Sequence, residues 1–383
     1  MRIAIVSRIF EPESGAASFR LGALARALSD AGHEVTVLTV RPRAWTNDRD
    51  SNRPYRVARF PVLRDASGYV RGYVQYMSFD IPLFFRVLFG RRYDALVVEP
   101  PPTTGFVARI AAKLRRTPYF YYGADIWSDA AEATGASGAV LSVVRRLERF
   151  ALQGARGVLS VNDGVSARIE QIAEGSVICT VGNGVDTEIF TETGLKNGSG
   201  RFFVYTGTTS EWQGADIFIR AIAALDAEDV RLVFIGQGSA WAGLKKLAAE
   251  LGAPVDFVDS VPPAEAAAWI RGAEASLASI VPGLGYDFAF PTKLHASWAV
   301  GTRTLFAGDE GPARTVLQEH PSLGFGVRYE LDPVVGAMGQ LLAQEDTSEH
   351  TAERSAWAKR HVSLHAVAGR VVDFIEERVR TRS

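Results

Sequence analysis

Residues 2–40 read RIAIVSRIFEPESGAASFRLGALARALSDAGHEVTVLTV, and they contain one complete unit of strand, helix and strand. Two apolar runs of strand length, RIAIVS (2–7) and EVTVLTV (34–40), lie on either side of a segment with helical periodicity, FRLGALARALSDAGH (19–33). A helix that connects two buried strands is typical of a parallel sheet whose faces are covered by helices. This stretch therefore predicts an α/β fold.

The same alternation continues along the chain as two series of buried strands. The first series goes on with YDALVVE (93–99), PYFYYG (118–123) and GVLSVN (157–162). The second series consists of RFFVYTG (201–207), VRLVFIG (230–236), VDFVDS (255–260), EASLASI (274–280) and TRTLFAG (302–308). Two such series predict two Rossmann-like parallel-sheet domains, which agrees with the length of 383 residues.

A polar, glycine-bearing segment separates the two series. TETGLKNGSGR (191–201) has no apolar period, as expected of a linker between domains. We therefore predict a first domain over residues 1–190 and a second over residues 191–360. Residues 361–383 are predicted as a C-terminal helix that can pack on either domain, and on the first in particular.

Composition and charge exclude several classes of protein. Lys and Arg (42) nearly balance Asp and Glu (43), so the net charge does not suggest a nucleic-acid partner. Cys179 is the single cysteine and excludes an internal disulfide framework. The chain shows neither a secretory signal pattern nor an apolar run long enough to span a membrane. A cytoplasmic protein is therefore expected.

The segment between Tyr55 and Arg92 differs from the rest because it is rich in aromatic residues and arginines and contains no lysine. Such a surface suits contact with anionic lipid or with an acidic amphiphile, which would make the protein peripheral on the inner membrane. The alternative is an ordinary pair of helices whose aromatic residues lie in the core and whose arginines extend along the surface. The sequence leaves both interpretations open.

Two loops that follow strands lead into helices with anion-binding character. In an open parallel sheet, ligands bind beyond the carboxyl ends of the strands. EPESGAAS (11–18) follows the first strand, where Gly15 lets backbone approach a ligand, Ala16 keeps the site open and Ser18 can cap the helix. The unpaired N–H groups and the positive dipole end of that helix can meet a phosphate.

The second loop ends in FPTKLHASWAVG (290–301). Pro291 suits the first position of a helix, and it leaves the N–H groups of Thr292 and Lys293 projecting from the helix end. With the threonine hydroxyl and the lysine ammonium added, this turn can hold a diphosphate without a metal. The alternative is an ordinary helix start with a lysine that faces solvent. Two further loops leave strands at the same predicted sheet edge, VPGLGYDF (281–288) and TGTTSEWQGAD (206–216). Their position favours a binding site over an ordinary helix start.

With these residues assembled, the chain resembles the retaining glycosyltransferases of family 4, whose GT-B fold has two Rossmann-like domains facing across a cleft. The resemblance covers nearly the whole length. It rests on the amino-terminal loop and helix, on GADIWSD (123–129), VGNGVDTEIF (181–190) and VFIGQGSAWAGLKKLAAELG (233–252), and on FPTKLHASWAVGTRTLFAG (290–308). GADIWSD is similar to a stretch of one envelope-sugar transferase subgroup.

The resemblance implies that the first domain binds the acceptor and the second binds a nucleoside-diphosphate sugar. The implied catalytic residues are Asp125, Asp287 and Lys293, with Asp125 near the reacting sugar carbon or the acceptor hydroxyl and Lys293 on the departing diphosphate. For Asp125 the alternative is a carboxylate that caps the turn before Trp127. The implied donor-binding residues are Gly15, Ala16, Gly207, Thr208, Gln213, Gly236, Tyr286, Pro291, Thr292, Lys293 and Leu294.

The chain departs from the family pattern at the Glu-x7-Glu pair. The second glutamate, which holds the donor ribose, falls at Ala296, and the first falls at Phe288, next to Asp287 and Tyr286. Asp287 is therefore expected to replace the missing first carboxylate. One hypothesis is a deoxythymidine diphosphate sugar as donor instead of a uridine diphosphate sugar. The usual Arg and Lys after the first strand of the second domain are replaced by Thr208 and Gln213.

Three other interpretations compete with a family 4 transferase. NDRDS (47–51) contains an Asp-x-Asp that metal-dependent transferases of a different fold use, but it lies in a polar loop away from the phosphate-binding turns, so no metal is expected. A nucleotide-sugar epimerase of GT-B fold would recruit His295, Asp287 and Asp125. A non-catalytic subunit that binds sugar nucleotides is suggested by Ala296. The sequence favours a metal-independent, retaining transferase acting on a glycan, polyprenyl-linked or small-molecule acceptor.

Overall fold

The computed structural model describes residues 1–13, 16–42, 52–65, 70, 72–133, 135–227, 229–284 and 286–381. Two compact units are present, one formed by Met1–Asn183 with Val367–Ser383 and the other by Gly184–Ala366. Each unit contains one parallel sheet, as the two series of apolar runs predict.

The elements of the first unit alternate between strand and helix. They are β1 (Arg2–Val6), α1 (Ala16–Asp30), β2 (Glu34–Val40), β3 (Arg56–Phe60), α2 (Tyr73–Phe89), β4 (Ala95–Val98), α3 (Pro102–Arg115), β5 (Tyr119–Gly123), α4 (Trp127–Ala133), α5 (Gly138–Gln153), β6 (Gly157–Ser160), α6 (Asp163–Ile172) and β7 (Ile178–Thr180). The strand order is β3-β2-β1-β4-β5-β6-β7. Ile3 lies between Val35 of β2 and Ala95 of β4 in the register. The chain therefore reverses its direction of winding between β1 and β4, where ligands bind in sheets of this kind.

The second unit repeats this plan. Its elements are β8 (Arg201–Thr208), α7 (Asp216–Ala224), β9 (Val230–Gln237), α8 (Trp241–Leu251), β10 (Val255–Val258), α9 (Pro263–Gly272), β11 (Ala275–Ser279), α10 (Thr292–Ala299), β12 (Thr304–Ala307), α11 (Pro312–Glu319), β13 (Gly324–Val327), α12 (Leu331–Ala343) and α13 (Ser348–His361). The strand order is β10-β9-β8-β11-β12-β13. The winding reverses between β8 and β11, so the loops that follow these two strands meet at one edge of the sheet.

The strands that the apolar runs did not reveal lie at the edges of the sheets. β3 and β7 close the two sides of the first sheet, and β13 closes one side of the second. Residues of β13 are all half-buried, whereas every residue of the central strand β4 is buried. An edge strand that is only partly covered does not need the continuous apolar run that marks a buried parallel strand.

The first unit ends at Asn183, earlier than the boundary predicted at residue 190. The reason is a short bridge in the second unit, where Val185 N donates to Val362 O (2.8 Å) and Leu364 N donates to Val185 O (2.9 Å). Residues 191–201 are also part of the second unit. Arg271 on α9 donates to the backbone carbonyls of Thr191 (2.8 Å) and Leu195 (3.0 Å), which holds this polar segment against the unit.

The last helix, α14 (Leu364–Arg380), belongs to the first unit from Val367 onward. Its buried residues Val367, Val371 and Ile375 join the apolar core of that unit. Phe374 meets Phe120 of β5 edge to face, with ring centroids 5.9 Å apart. Among all the described helices, none combines the length and the apolar character that a bilayer-spanning segment requires.

Candidate functional site

The carboxyl ends of β8 and β9 form an edge built from glycine backbone. Gly207 and Gly236 are paired in the register and have positive φ angles of 99° and 148°. A Cβ at Gly236 would lie 1.9 Å from Gly207 O, so only glycine fits there, whereas nothing lies within 4 Å of a Cβ at Gly207. Thr208 is exposed at the strand end. Gly207 therefore offers exposed backbone that a ligand can approach closely, while Gly236 is buried and lets the two strand ends lie close together.

The loop after β8 is held by its own hydrogen bonds, and Gln213 is part of that network. Gln213 is buried, and its side-chain oxygen accepts a hydrogen bond from Ser210 N at 2.9 Å. Ser279 at the end of β11 donates to Gln213 O at 2.5 Å. The sequence predicts that the Gln213 side chain contacts the ligand. In this structure the side chain faces the protein and stabilises the loop instead.

The loops after β8 and β11 are joined by an aromatic pair. The rings of Trp212 and Tyr286 stack with centroids 4.5 Å apart and an angle of 21° between their planes. Val281 N donates to Trp212 O at 2.8 Å next to this pair. Asp287 follows Tyr286, and its carboxylate accepts a hydrogen bond from Gly283 N at 3.2 Å. Tyr286 and Asp287 thus lie at the carboxyl edge of the second sheet, as the sequence predicts.

Helix α10 begins at the same edge. Pro291, predicted as the first helical residue, is instead the cap residue in extended conformation, and the helix begins one position later at Thr292. Among the described residues, no side chain caps this helix end. The N–H groups of Thr292 and Lys293 therefore have no side-chain acceptor in that part of the chain, and the exposed Thr292 hydroxyl stands beside them. This end of α10 has the donors and the positive dipole that an anion requires.

Lys293 turns inward instead of facing solvent. Its Nζ lies 3.3 Å from the centroid of the Tyr205 ring, is buried and makes no hydrogen bond to the described residues. Burial lowers the pKa of Lys293 well below its usual value. The interpretation of a solvent-facing lysine at an ordinary helix start is therefore wrong, because the aliphatic stem and the amine pack on the sheet.

The second turn of α10 packs into the apolar core. Leu294 is fully buried, and Ala296 is 9% exposed in the same cluster as Trp298. The indole of Trp298 donates to Thr304 Oγ1 at 3.0 Å and to Leu323 O at 3.2 Å. Leu294 therefore anchors the helix and leaves any contact with a ligand to its backbone.

In the first unit, the predicted residues lie at the carboxyl edge of the sheet. Gly15 is outside the described residues, and Ala16 is the exposed first residue of α1. Asp125 follows β5 and is exposed. The N–H groups of Trp127 and Ser128 bind the carboxylate of Glu148 at 2.7 and 3.1 Å. Asp125 does not cap this turn, because Glu148 does so.

A buried ion pair next to Asp125 was not found from the sequence. Arg20 of α1 donates to Glu99, which follows β4, at 2.6 Å, and the guanidinium lies 4.4 Å from the centroid of the Tyr122 ring. Burial opposes the charge of Arg20, but Glu99 outweighs it and Asp125 adds to the effect, so the pKa of Arg20 is raised. The only sequence signal for the pair was the position of Glu99 at a strand end.

A cavity of about 620 Å³ lies at the other edge of the second sheet, where β12 and β13 begin. Its charged walls include Arg354 and Asp346, joined by two hydrogen bonds of 2.6 Å. Arg354 also donates to Gly301 O at 2.7 Å and to Ser322 O at 3.3 Å. These donors are engaged within the protein, so the glycine edge and α10 remain the candidate site of the second unit.

Two family profiles match the chain, one in each unit. Residues 15–184 match the glycosyl transferase 4-like domain, and residues 200–344 match the domain of glycosyl transferases group 1. The chain is a GT-B glycosyltransferase. No group of three or more potential metal-binding side chains occurs among the described residues of this glycosyltransferase.

Solved structures share the fold of this glycosyltransferase over the whole chain. HepE of Anabaena in complex with UDP has a TM-score of 0.70 at 16% identity and covers 98% of this chain and 100% of its own. Sucrose-phosphate synthase of Thermosynechococcus elongatus has a TM-score of 0.69 at 15% identity and covers 100% of both chains. The lipopolysaccharide outer core galactosyltransferase WaaB, without ligand, has a TM-score of 0.67 at 13% identity and covers 100% of both chains. No curated protein sequence matches significantly.

Proposed function

We propose that this glycosyltransferase is a retaining, metal-independent enzyme of the family 4 kind. It moves a sugar from a uridine or deoxythymidine diphosphate donor to a glycan, polyprenyl-linked or small-molecule acceptor in the synthesis of envelope polysaccharide or glycolipid. The observation that carries the proposal is the shared position of the glycine edge at Gly207 and Gly236 and of the amino end of α10. The complexes of HepE with UDP and with UDP-glucose support a donor of this class.

The amino end of α10 holds the diphosphate in this proposal. The free backbone donors of the first turn, the Thr292 hydroxyl and the helix dipole all favour negative charge at this point. Each charge-assisted hydrogen bond contributes about 1.5–3 kcal/mol, and three of them account for micromolar binding. The glycine edge lets the phosphates approach the backbone without a steric clash.

Lys293 supplies the charge that the leaving diphosphate needs. The transition state of sugar transfer places negative charge on the phosphate, and a positioned ammonium stabilises that charge. The amine packs on the Tyr205 ring and makes no hydrogen bond to the described residues. A movement of the amine toward a bound diphosphate therefore breaks no hydrogen bond. Approach of a diphosphate raises the pKa of Lys293 and favours the ammonium form.

Asp125 acts on the acceptor. Its carboxylate is exposed at the carboxyl edge of the first sheet, and the role of helix cap is taken by Glu148. It is therefore available to orient or deprotonate an acceptor hydroxyl. Arg20 and Glu99 position this edge as a buried pair.

The experiment that tests the proposal is a calorimetric titration with UDP, dTDP, ADP and GDP, followed by turnover assays with the sugar forms of the tightest nucleotide. We expect micromolar binding of UDP or dTDP, turnover in the presence of EDTA, and a product whose anomeric configuration by NMR equals that of the donor. Tighter binding of UDP than of dTDP would reject the deoxyribose hypothesis that Ala296 suggests.

A matched pair of variants makes the titration specific. Thr292→Val and Lys293→Met remove groups at the amino end of α10, and Lys246→Met removes an exposed lysine of α8 as the control. The proposal requires weaker nucleotide binding in the first two variants and unchanged binding in the third. Undiminished affinity and turnover in Lys293→Met would reject it, and binding without turnover for every acceptor would indicate a non-catalytic subunit.

A further inference from the structure

Helix α2 is apolar on two faces. Phe79, Leu83 and Val87 are buried in the core, and a second row of apolar side chains faces solvent. Val74, Ile81, Phe85 and Phe89 are 61%, 55%, 52% and 75% exposed. Their spacing of seven, four and four residues places them on one face of the helix. Asp80 is fully buried on the other side and accepts a hydrogen bond from Thr104 Oγ1 at 2.6 Å.

The exposed residues form one continuous surface. The rings of Phe85 and Phe89 stack with centroids 6.1 Å apart and nearly parallel planes. Leu63, 55% exposed, lies beside the helix, since its backbone N–H donates to Ser78 Oγ on α2 at 3.0 Å. Single exposed apolar side chains are normal on a protein surface, but a contiguous patch marks an interaction site. We define the apolar face as Leu63, Val74, Ile81, Phe85 and Phe89.

A basic edge borders the apolar face where α2 and α3 end. Arg115 at the end of α3 donates to Gly90 O just after α2, at 3.1 Å, so both helix ends lie together. The exposed cations Arg92 and Lys113 stand at this edge. Two carboxylates lie here: Glu34 pairs with Arg91, and Asp94 accepts a hydrogen bond from the backbone N–H of Arg2 (2.7 Å). With Arg91 and Arg115, four cations outnumber these two carboxylates, so the edge carries a net positive charge.

Three of the arginines that suggested lipid contact in the sequence make contacts within the first unit. Arg59 donates to the backbone carbonyl of Glu11, and Arg64 pairs with Glu13 at 2.8 Å. The Arg86 guanidinium lies 3.7 Å from the centroid of the Phe60 ring. The aromatic residues divide in the same way, since Phe60 and Phe79 are buried and Phe85 and Phe89 are exposed. The interpretation of aromatic residues in the core therefore holds for Phe60 and Phe79, and lipid contact stays a prediction for the exposed residues.

We propose that the apolar face and the basic edge together bind the surface of an anionic lipid bilayer. A helix of this kind lies in the plane of the interface, with its apolar side chains among the acyl chains and its cations among the headgroups. The cations favour a bilayer over an uncharged apolar partner, because anionic headgroups complement them. The proposal goes beyond sugar transfer and does not depend on the donor.

Vesicle flotation tests the proposal with the full chain. The probes are vesicles of phosphatidylcholine with and without phosphatidylglycerol. We expect flotation with the anionic vesicles, loss of flotation in Ile81→Ser/Phe85→Ser/Phe89→Ser, and a partition coefficient about thirtyfold lower in Arg92→Ser/Lys113→Ser. Val140→Ser/Val143→Ser, which changes two exposed valines of α5, is the matched control and should float like the wild type.

Three outcomes would overturn the proposal. They are absence of flotation of the wild type, equal flotation of the wild type and the triple variant, and flotation that does not respond to phosphatidylglycerol. A wild-type dimer that the triple variant converts to a monomer, without flotation of either, would assign the apolar face to a second copy of the chain. UDP titration of the triple variant separates this test from the proposed function, since donor binding should be unchanged.

Discussion

The amine of Lys293 lies over the ring of Tyr205, 3.3 Å from its centroid, and has no hydrogen-bond partner among the described residues. The lysine comes from the first turn of α10 and the tyrosine from the interior of β8. Burial lowers the pKa of Lys293 well below its usual value. In the free protein, burial therefore disfavours the charged form of this amine.

Nucleotide binding is expected to take up a proton. Burial holds the pKa of Lys293 low in the free protein, and a bound diphosphate raises it, so between these two values binding is linked to protonation. The affinity for UDP should therefore fall as the pH rises through this window. Calorimetric titrations above the second pKa of the phosphate, about 6, in buffers of different ionisation enthalpy measure the uptake. Lys293→Met should abolish it, and equal uptake in this variant would contradict the prediction.

The unliganded protein is expected to gain stability when Lys293 is replaced by methionine. A buried amine without a hydrogen bond costs about 1–3 kcal/mol, and Met keeps the packing on Tyr205. The folded-state pKa is below the unfolded value of about 10.4, so the unfolded state binds more protons and the wild-type stability rises with pH up to that value. Urea unfolding at several pH values should show a weaker pH slope in Lys293→Met, with Lys246→Met unchanged from the wild type.

A side chain at Gly236 should disrupt the glycine edge. The new Cβ of Gly236→Ala would lie 1.9 Å from Gly207 O at a φ of 148°, so we expect a loss of more than about 2 kcal/mol and weaker UDP binding. Gly243→Ala is the matched control, because it lies inside α8 with nothing within 4 Å of its Cβ. That change should stabilise the protein by about 0.5–1 kcal/mol. Thermal denaturation of both variants tests this prediction, and similar melting temperatures of Gly236→Ala and Gly243→Ala would contradict it.

Asp125 is expected to be a catalytic carboxylate and Glu148 a structural one. Asp125→Asn is expected to change the free energy of unfolding by no more than about 0.5 kcal/mol, as a surface substitution does, and to lower turnover by about 10²–10⁴-fold. Glu148→Ala leaves the N–H groups of Trp127 and Ser128 without their acceptor and should cost about 1–3 kcal/mol. The opposite pattern, with an unstable Asp125→Asn and a stable Glu148→Ala, would reverse these roles.

Removing one partner of the Arg20–Glu99 pair should be more costly than removing both. Glu99→Gln leaves a buried guanidinium without its counter-charge, which costs about 3–5 kcal/mol. The double variant Arg20→Met/Glu99→Gln should recover part of this loss, because no buried charge is left. A double-mutant cycle in urea measures the coupling. Additive effects would mean that the pair contributes nothing beyond its separate residues.

The fold could be predicted from the sequence because its signals are local. The central strands of both sheets are short apolar runs between helical segments, and the two-domain GT-B architecture that these runs and the family resemblance predicted is confirmed. The turn that opens with Pro291 was also visible, because cap and first-turn residues act through their own backbone. Edge strands such as β13 carried a weaker signal, since a strand covered on one side needs fewer apolar residues.

What the sequence by itself determined is therefore the sheet plan and the strand ends where a ligand can bind. Only the tertiary structure decided which way the side chains of those ends point. Lys293 turns toward Tyr205, Glu148 takes the cap that Asp125 leaves, and α2 buries Asp80 and exposes Phe85. Each of these directions depends on a partner from a distant part of the chain, and periodicity reports only the neighbours within a few residues. The local sequence does not specify which way each of these side chains points. The orientation is determined by the free energies of burial and of pairing with groups that folding brings together.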